Sequence, residues 1–505
     1  MDETADQIAA GRERRIVLLL CLLAAIHVFI FCAAFPFFAD TDEQLHLDLV
    51  IKYSHGEVPR ALGAPCDEAI PFAAIYSTPE YIWPPDHFPN DQIPPPVWTL
   101  FKTEPTNAVM QGLLKTEAEW KTVTNQEDSE PPLYYALAGG WWDAGKILGL
   151  DGGNLLLWLR ALNILVVAAL VWLGWRTAAL IFPDNLFLRL GVPALIAFLP
   201  QTAFFSLNND VLSPLCFGAA FFLLVKFFRA EKPDWKLGAA AGLALAATFL
   251  TKISNLPLLG VAAIFLAVKF WWLLRGRNLR AAVPGISALA ICALPPMAAW
   301  LAWCKTNYGD FTGSEAKIKF LGWTVKPFAE WWHHPIFTPH GFWIFIHDLL
   351  STFWQGELLW HQQPMQLPAV SLIYVIFTFV LIAVALVYLI LKSKSPALPQ
   401  RDALWFGLAA FAATIAFSGF LSIIYDFHDC FYPSREHPYF TSGRLILGAL
   451  IPFLLVFLFG LDCALKKFGN AVKFSMLAGF IVFMLASEIA TDWVIFPNTY
   501  NWFHM

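Results

Sequence analysis

Charge is what this chain has least of. Asp, Glu, Lys and Arg make up 14% of its 505 residues, where soluble domains carry about a quarter. Hydrophobic residues reach 58% and the mean hydropathy is +0.57, which excludes an ordinary water-soluble globule. Basic residues are not in excess either: 33 Lys and Arg stand against 38 Asp and Glu, so nothing favours nucleic acid as a partner. Cysteine is sparse. The eight residues form no CxxC pair and most sit inside apolar runs, as expected of small packing residues. Cys66 and Cys430 fall outside those runs, and a disulfide between them stays open. Internal repeats and low-complexity tracts are lacking.

What is present is a series of long apolar runs. A membrane-spanning helix needs about 20 apolar residues, and these runs far exceed the length of barrel strands. The expected class is an all-α polytopic membrane protein. Candidate spans are 16–38, 155–178, 187–206, 210–228, 237–253, 256–274, 281–303, 367–391, 402–424, 444–463 and 473–495, eleven in all. The first follows Arg12, Arg14 and Arg15 but is too long for a signal-peptide core and lacks an Ala-x-Ala site, so it reads as a signal anchor.

Lys and Arg in short loops set the orientation. With eleven spans, the clusters Arg12–Arg15, Lys226–Lys236, Arg275–Arg280, Lys392–Arg401 and Lys466–Lys473 share one side. The N-terminus is then cytoplasmic and the C-terminus external. Segment 133–149 tests the count. It is apolar but short and carries Asp143 and Lys146; counting it as a span would move every later basic cluster outside. It is expected to lie along the outer surface. Two long outer loops remain, 39–154 and 304–366, with a shorter one at 425–443. Pro84-Pro85 and Pro94-Pro95-Pro96 make the first loop irregular. Long loops in compact proteins usually carry function, so chemistry is expected at the outer face.

Asp40, Asp42 and Glu43 sit where the first span ends. Asp42 and His46 share a face if 42–53 is helical, with Gly56 as its stop. A carboxylate there can act as general base, or with His46 hold a divalent cation; it can equally be a solvated helix start. Tyr134, in Glu130-Pro131-Pro132-Leu133-Tyr134-Tyr135, suits a membrane interface. Asn209 and Asp210 can cap the fourth span or bind sugar hydroxyls. Lys252 and Arg444 lie near the outer ends of spans and either snorkel or clamp a phosphate, with Arg435, His428 and His437 nearby. In the second loop, Trp354 and Glu357, with Trp331-Trp332-His333-His334 and His347-Asp348, offer aromatic faces and polar neighbours for a sugar, or an aromatic belt.

Taken in order, these motifs carry more than each does alone. Asp42-Glu43-x-x-His46 follows span one, and Pro-Pro-Leu-Tyr-Tyr opens a surface helix at 131–135. Arg160-Ala161-Leu162-Asn163 starts span two. Leu199-Pro200-Gln201, Asn208-Asn209-Asp210, Leu250-Thr251-Lys252 and Ser442-Gly443-Arg444 follow. This layout resembles a bacterial family of multispanning proteins placed among the GT-C glycosyltransferases, and is similar to protein O-mannosyltransferases and to the aminoarabinose transferases of lipid A. The resemblance covers about residues 16–465, so residues 1–465 are expected to form a GT-C catalytic module and 466–505 a last helix with an external tail.

The resemblance implies a sugar taken from a polyprenyl-phosphate carrier, inversion at the anomeric carbon, and an acid of the Asp-Glu pair, Asp42 or Glu43, as base. The acceptor would be a glycan, a lipid or a protein, at the outer face of a bacterial plasma membrane. Some GT-C enzymes need a divalent cation such as Mg or Mn and others do not. The acids that would complete a metal site here are Asp348 or Glu357. The rival readings are an O-antigen polymerase or ligase, which leans on outer arginines and a His, and a transporter or flippase of a lipid-linked sugar. Transporters place charge near the bilayer midplane and break helices there, whereas charge here gathers at the outer ends.

Overall fold

A computed structural model describes residues 2–40, 42–88, 93–101, 106–275, 279–391, 398–430 and 432–505; Arg277, Lys392 and Lys394 of the basic loops lie outside them. The described residues are mostly helical. Strand structure is confined to two-residue pairs, such as 324–325 with 425–426. The helices used below are α1 (Asp2–Ala34), α2 (Glu43–Ser54), α3 (Leu133–Ile147), α4 (Gly152–Ile181), α5 (Leu186–Ala197), α6 (Ser213–Arg229), α7 (Trp235–Thr251), α8 (Leu256–Arg275), α9 (Leu279–Asn307), α10 (Ser314–Phe320), α11 (Pro339–Gln355), α12 (Pro368–Leu391), α13 (Leu398–Ile424), α14 (Leu450–Ala464) and α15 (Asn470–Thr491).

Among the described residues, nine helices are long and apolar enough to cross a membrane, and α5 and α7 are shorter apolar helices. These two match the third and fifth of the eleven expected spans. α5 stops at Ala197 rather than near 206. Pro200 disfavours helix at the residue before it, and 199–208 runs as buried backbone whose only regular piece is a single 3-10 turn at Thr202–Phe204. Such backbone survives away from water only if its polar groups are satisfied by protein. Here Asn163 donates to the carbonyls of Phe204 (3.2 Å) and Ser206 (2.8 Å). Gln201 donates to Phe353 O at 2.8 Å, and Asn208 to Ala203 O at 3.1 Å. Asn208, not Asn209 or Asp210, caps the next turn by accepting from Val211 N, which leaves Asp210 free to pair elsewhere.

Side-chain contacts show which helix ends lie together. At one end Glu13 of α1 meets Arg189 of α5 (2.8 Å) and Trp175 of α4 (2.7 Å). There too Asn185 meets Asp462 of α14, which also pairs with Lys473 of α15. At the opposite end Arg160 of α4 meets residues 32–43, and Tyr308 after α9 meets Asp128. The contacts alternate ends from helix to helix, and the C-terminal tail shares the second end, where Trp502 donates to Asn154 and Tyr500 to Pro94 O. The tightest helix pair is α7 with α9. Gly238 and Gly242 face Gly285 and Leu289 so closely that a Cβ at Gly238 would collide with the Gly285 carbonyl. Small residues at this spacing let two backbones approach where no hydrophobic force drives them together.

α3 occupies the segment expected on the surface. Its 15 residues span about 22 Å at 1.5 Å each, short of a ~30 Å hydrocarbon layer. Tyr134, Tyr135, Ala138 and Trp142 are buried toward α2 and α4, while Leu137, Ile147 and Leu148 are exposed. All eight cysteines are free, so Cys66 and Cys430 are not joined.

Candidate active site

The second end of the bundle collects the polar residues. α2 begins at Glu43, and Asp42 precedes it in a left-handed conformation (φ 62°) with no side-chain cap. The carboxylate of Asp42 therefore turns away from the helix it starts. Its Oδ1 accepts from Gln126 Nε2 at 3.0 Å, and its Oδ2 lies 3.9 Å from Arg444 Nη2. About 24% of the side chain remains exposed, whereas that of Glu43 is 0% exposed.

The two neighbouring acids thus differ in kind. Glu43 Oε1 accepts from Arg160 Nε (2.8 Å) and Leu207 N (2.9 Å); Oε2 accepts from Arg160 Nη2 (2.8 Å) and Phe38 N (2.9 Å). Arg160 spends its remaining donors on the carbonyls of Cys32, Phe35 and Pro36. Every hydrogen-bonding position of this pair is filled, so Glu43 is built as a tie between the end of α1, α2 and α4. Asp40 is buried with its Oδ2 on Ser206 Oγ.

Arg444 stands at the centre. Besides Asp42 it faces Glu357 at 3.7 Å and Asp210 at 3.8 Å, and its buried Nη1 has no partner. These separations exceed hydrogen-bond length, so the guanidinium is held loosely among three carboxylates with a donor to spare. Asp210 also pairs with Lys252 at 2.6 Å, and Glu357 accepts from Ser442 Oγ at 2.6 Å. Asn209 donates to Glu130 Oε2 (3.0 Å) and Thr251 O (3.2 Å). His46 Nδ1 meets the Tyr135 hydroxyl at 2.8 Å, and Tyr134 is buried beside that ring.

Two expected site residues are not brought here. Trp354 is fully buried among Tyr374, Phe453, Phe457 and Phe480, with its Nε1 on Thr378, and cannot stack on a sugar. Its apolar contacts outweigh anything a surface position would offer. Arg435 is exposed and bound to Asp426 (3.4 Å) and His428 (2.7 Å), apart from the cluster. Conversely, sequence reasoning passed over Glu127 and Lys317. Lys317 of α10 reaches from the 304–366 loop to Glu127 (2.6 Å) and Glu130 (3.7 Å) in the 39–154 loop. The signal was the acidic run Glu127-Asp128-Ser129-Glu130 ahead of the double proline.

Electrostatics split the acids further. Burial raises the Asp42 carboxyl above its ordinary range and Glu127 adds to this, against Arg444, Lys317 and Lys252. Burial likewise raises Glu357 despite Arg444, and Glu130 despite Lys317. At Glu127 burial is overcome by Lys317 and Lys252, and the carboxyl is held down at about 2. Burial lowers His46 to about 3, so it is a neutral imidazole. Neighbouring carboxylates pushed apart in this way suit different roles, one proton acceptor and one permanent anion. No three His, Cys, Asp or Glu side chains converge as a metal site among the described residues. Asp42, Asp210 and Glu357 converge instead on the Arg444 guanidinium, and Asp348 is engaged by His347 and His437.

A helical membrane bundle with a half-buried acid and cation cluster at one end is the class defined so far. The chain belongs to a family described as predicted membrane protein (DUF2142), whose model matches residues 22–424. The match takes in Asp42, Glu127, Asp210, Lys252, Lys317 and Glu357 and ends before Arg444. A search of curated proteins finds no match.

Proposed function

We propose that this protein is an inverting glycosyltransferase of the GT-C type. It moves a sugar from a polyprenyl-phosphate carrier to an acceptor at the outer face of a bacterial plasma membrane. The observation that carries the reading is the pairing of a half-buried, burial-raised Asp42 with Arg444 at 3.9 Å, whose Nη1 is free. Asp42 takes the proton of an acceptor hydroxyl. That oxygen bonds to the anomeric carbon from the face opposite the phosphate, and the carbon–phosphate oxygen bond breaks. The carrier phosphate gains the charge that the sugar bond releases. Arg444 Nη1 and Lys252 are the donors that meet it, and preorganised donors at a developing charge lower the barrier. The isoprenoid tail stays in lipid while the sugar enters the polar end of the bundle.

Asp42→Asn tests the reading. It keeps size and the Gln126 contact but removes the proton acceptor. Turnover of a polyprenyl-phosphate sugar should fall by 10²-fold or more, a typical general-base contribution, with donor binding retained. In the wild type, turnover should drop on the acid side as pH falls through the raised Asp42 pKa, above the ordinary 3.8. Full activity of Asp42→Asn would reject the assignment.

A further inference from the structure

We propose that a cavity at the end of α2 away from Asp42 is a subsite for a neutral saccharide, which under the reading above is part of the acceptor. This cavity of about 530 Å³ is bounded by the end of α2, the 56–64 loop, Asp128 and Trp303 of α9. One short turn, Gln126–Ser129, serves both places: Gln126 holds Asp42 and Asp128 lines the cavity. The cavity lies at the far end of α2 from Asp42, about 15 Å along the helix axis, so the turn joins the two places and an acceptor of several rings seated in the cavity extends toward the base.

The cavity is preformed. The Tyr308 hydroxyl lies 2.9 Å from Pro59 O and 2.7 Å from Asp128 O. Gly63 is bound through both backbone groups, its N to Asp128 Oδ2 (2.9 Å) and its O to Asn125 N (2.7 Å). The loop wall is thus fixed before any ligand arrives, and the volume falls in the range of small-ligand sites.

Its chemistry selects the ligand. The floor is Lys52, buried between Asp48 (2.7 Å) and Asp128 (2.8 Å). The wall is the Trp303 indole, with the Arg60 guanidinium 5.7 Å from its ring centre. An anionic ligand would find the floor cation already shared by two carboxylates. An acyl chain would strip water from that ion triplet without replacing its hydrogen bonds, which is costly. A neutral ring with several hydroxyls suits all parts. Its hydroxyls donate to spare lone pairs of Asp128 and accept from Arg60, while its C–H face lies on the indole.

The test is retention of the full-length protein, in lipid nanodiscs without donor, on an array of immobilised neutral and acidic oligosaccharides. We expect retention on neutral members, weakened about tenfold by Trp303→Ala, equivalent to ~1.4 kcal/mol, and largely kept by Trp303→Phe. Because Trp303→Ala could disturb α9, a second variant leaves the fold intact. Ala61→Cys, at the exposed rim, is labelled after purification with a bulky maleimide. The label should abolish retention, while unlabelled Ala61→Cys and maleimide-treated wild type keep it. No retention on any member, retention on acidic members alone, or retention that survives the label would each overturn the proposal. Retention that is blocked by the label in a protein without transferase activity would keep the saccharide site and reject the transfer reading.

Discussion

Glu43→Gln separates a structural acid from a catalytic one more sharply than any other substitution here. Gln preserves the oxygen that accepts from Arg160 Nε and Leu207 N. Its amide nitrogen, however, replaces Oε2 and faces two donors, Arg160 Nη2 and Phe38 N. Both partners are donors, so both bonds are lost. Arg160, with a side chain 1% exposed, is left without its counter-ion. Removing one member of a buried pair costs about 3–5 kcal/mol, a large share of a net stability of about 5–15 kcal/mol. Arg160→Met should be worse. It strands the Glu43 carboxylate and also the carbonyls of Cys32, Phe35 and Pro36, each unsatisfied group adding about 1–3 kcal/mol. The assay is loss of monodisperse protein on heating in detergent. Both variants should lose their size-exclusion peak at temperatures several degrees or more below wild type, in the order Arg160→Met then Glu43→Gln. A Glu43→Gln protein with the wild-type midpoint would refute the keystone role. If that stable protein were also inactive, the base would be Glu43 rather than Asp42.

Further expectations concern the cation, the pH dependence and the sidedness. Arg444→Ala should weaken binding of a polyprenyl-phosphate sugar to folded, purified protein, and Arg444→Lys should restore it only in part, because an ammonium cannot reproduce the fork; unchanged affinity in Arg444→Ala would remove it as the phosphate donor. His46 falls from 6.5 unfolded to about 3 folded, so its contribution is complete above 6.5 and is lost as pH falls from 6.5 toward 3, about 2 kcal/mol by pH 5. His46→Gln should flatten that acid limb, and an unaltered slope would count against a neutral buried imidazole. Glu127 acts in the same sense at lower pH, losing its contribution as pH falls through about 2. For sidedness, single cysteines at exposed Glu119 and Lys467, placed at opposite ends of the bundle in a background lacking all eight native cysteines, should label from outside and inside intact cells respectively; the reverse pattern would invert the orientation.

The sequence by itself determined the solvent of this protein and most of its helices. Apolar run length is a local property, so spans such as 367–391 and 402–424 appear almost unchanged as α12 and α13. Gly56 ends α2 as expected because its φ of +76° is a backbone need that a single residue declares. The polar residues near the helix ends were legible as a set for the same reason: charge is rare in this chain, and rare features stand out. What each does was decided only by tertiary structure. Asp42 and Glu43 are adjacent and chemically alike, yet Arg160, 117 positions away, consumes one and leaves the other facing Arg444. Trp354 looked like a sugar platform beside Glu357, but packing drew it into the core while Glu357 kept the site. Lys317 joined the cluster through a fold-back between two loops that no local pattern encodes. Span lengths are set within one helix; ion pairing and burial are set by what other helices bring alongside, and those partners are distant in the chain.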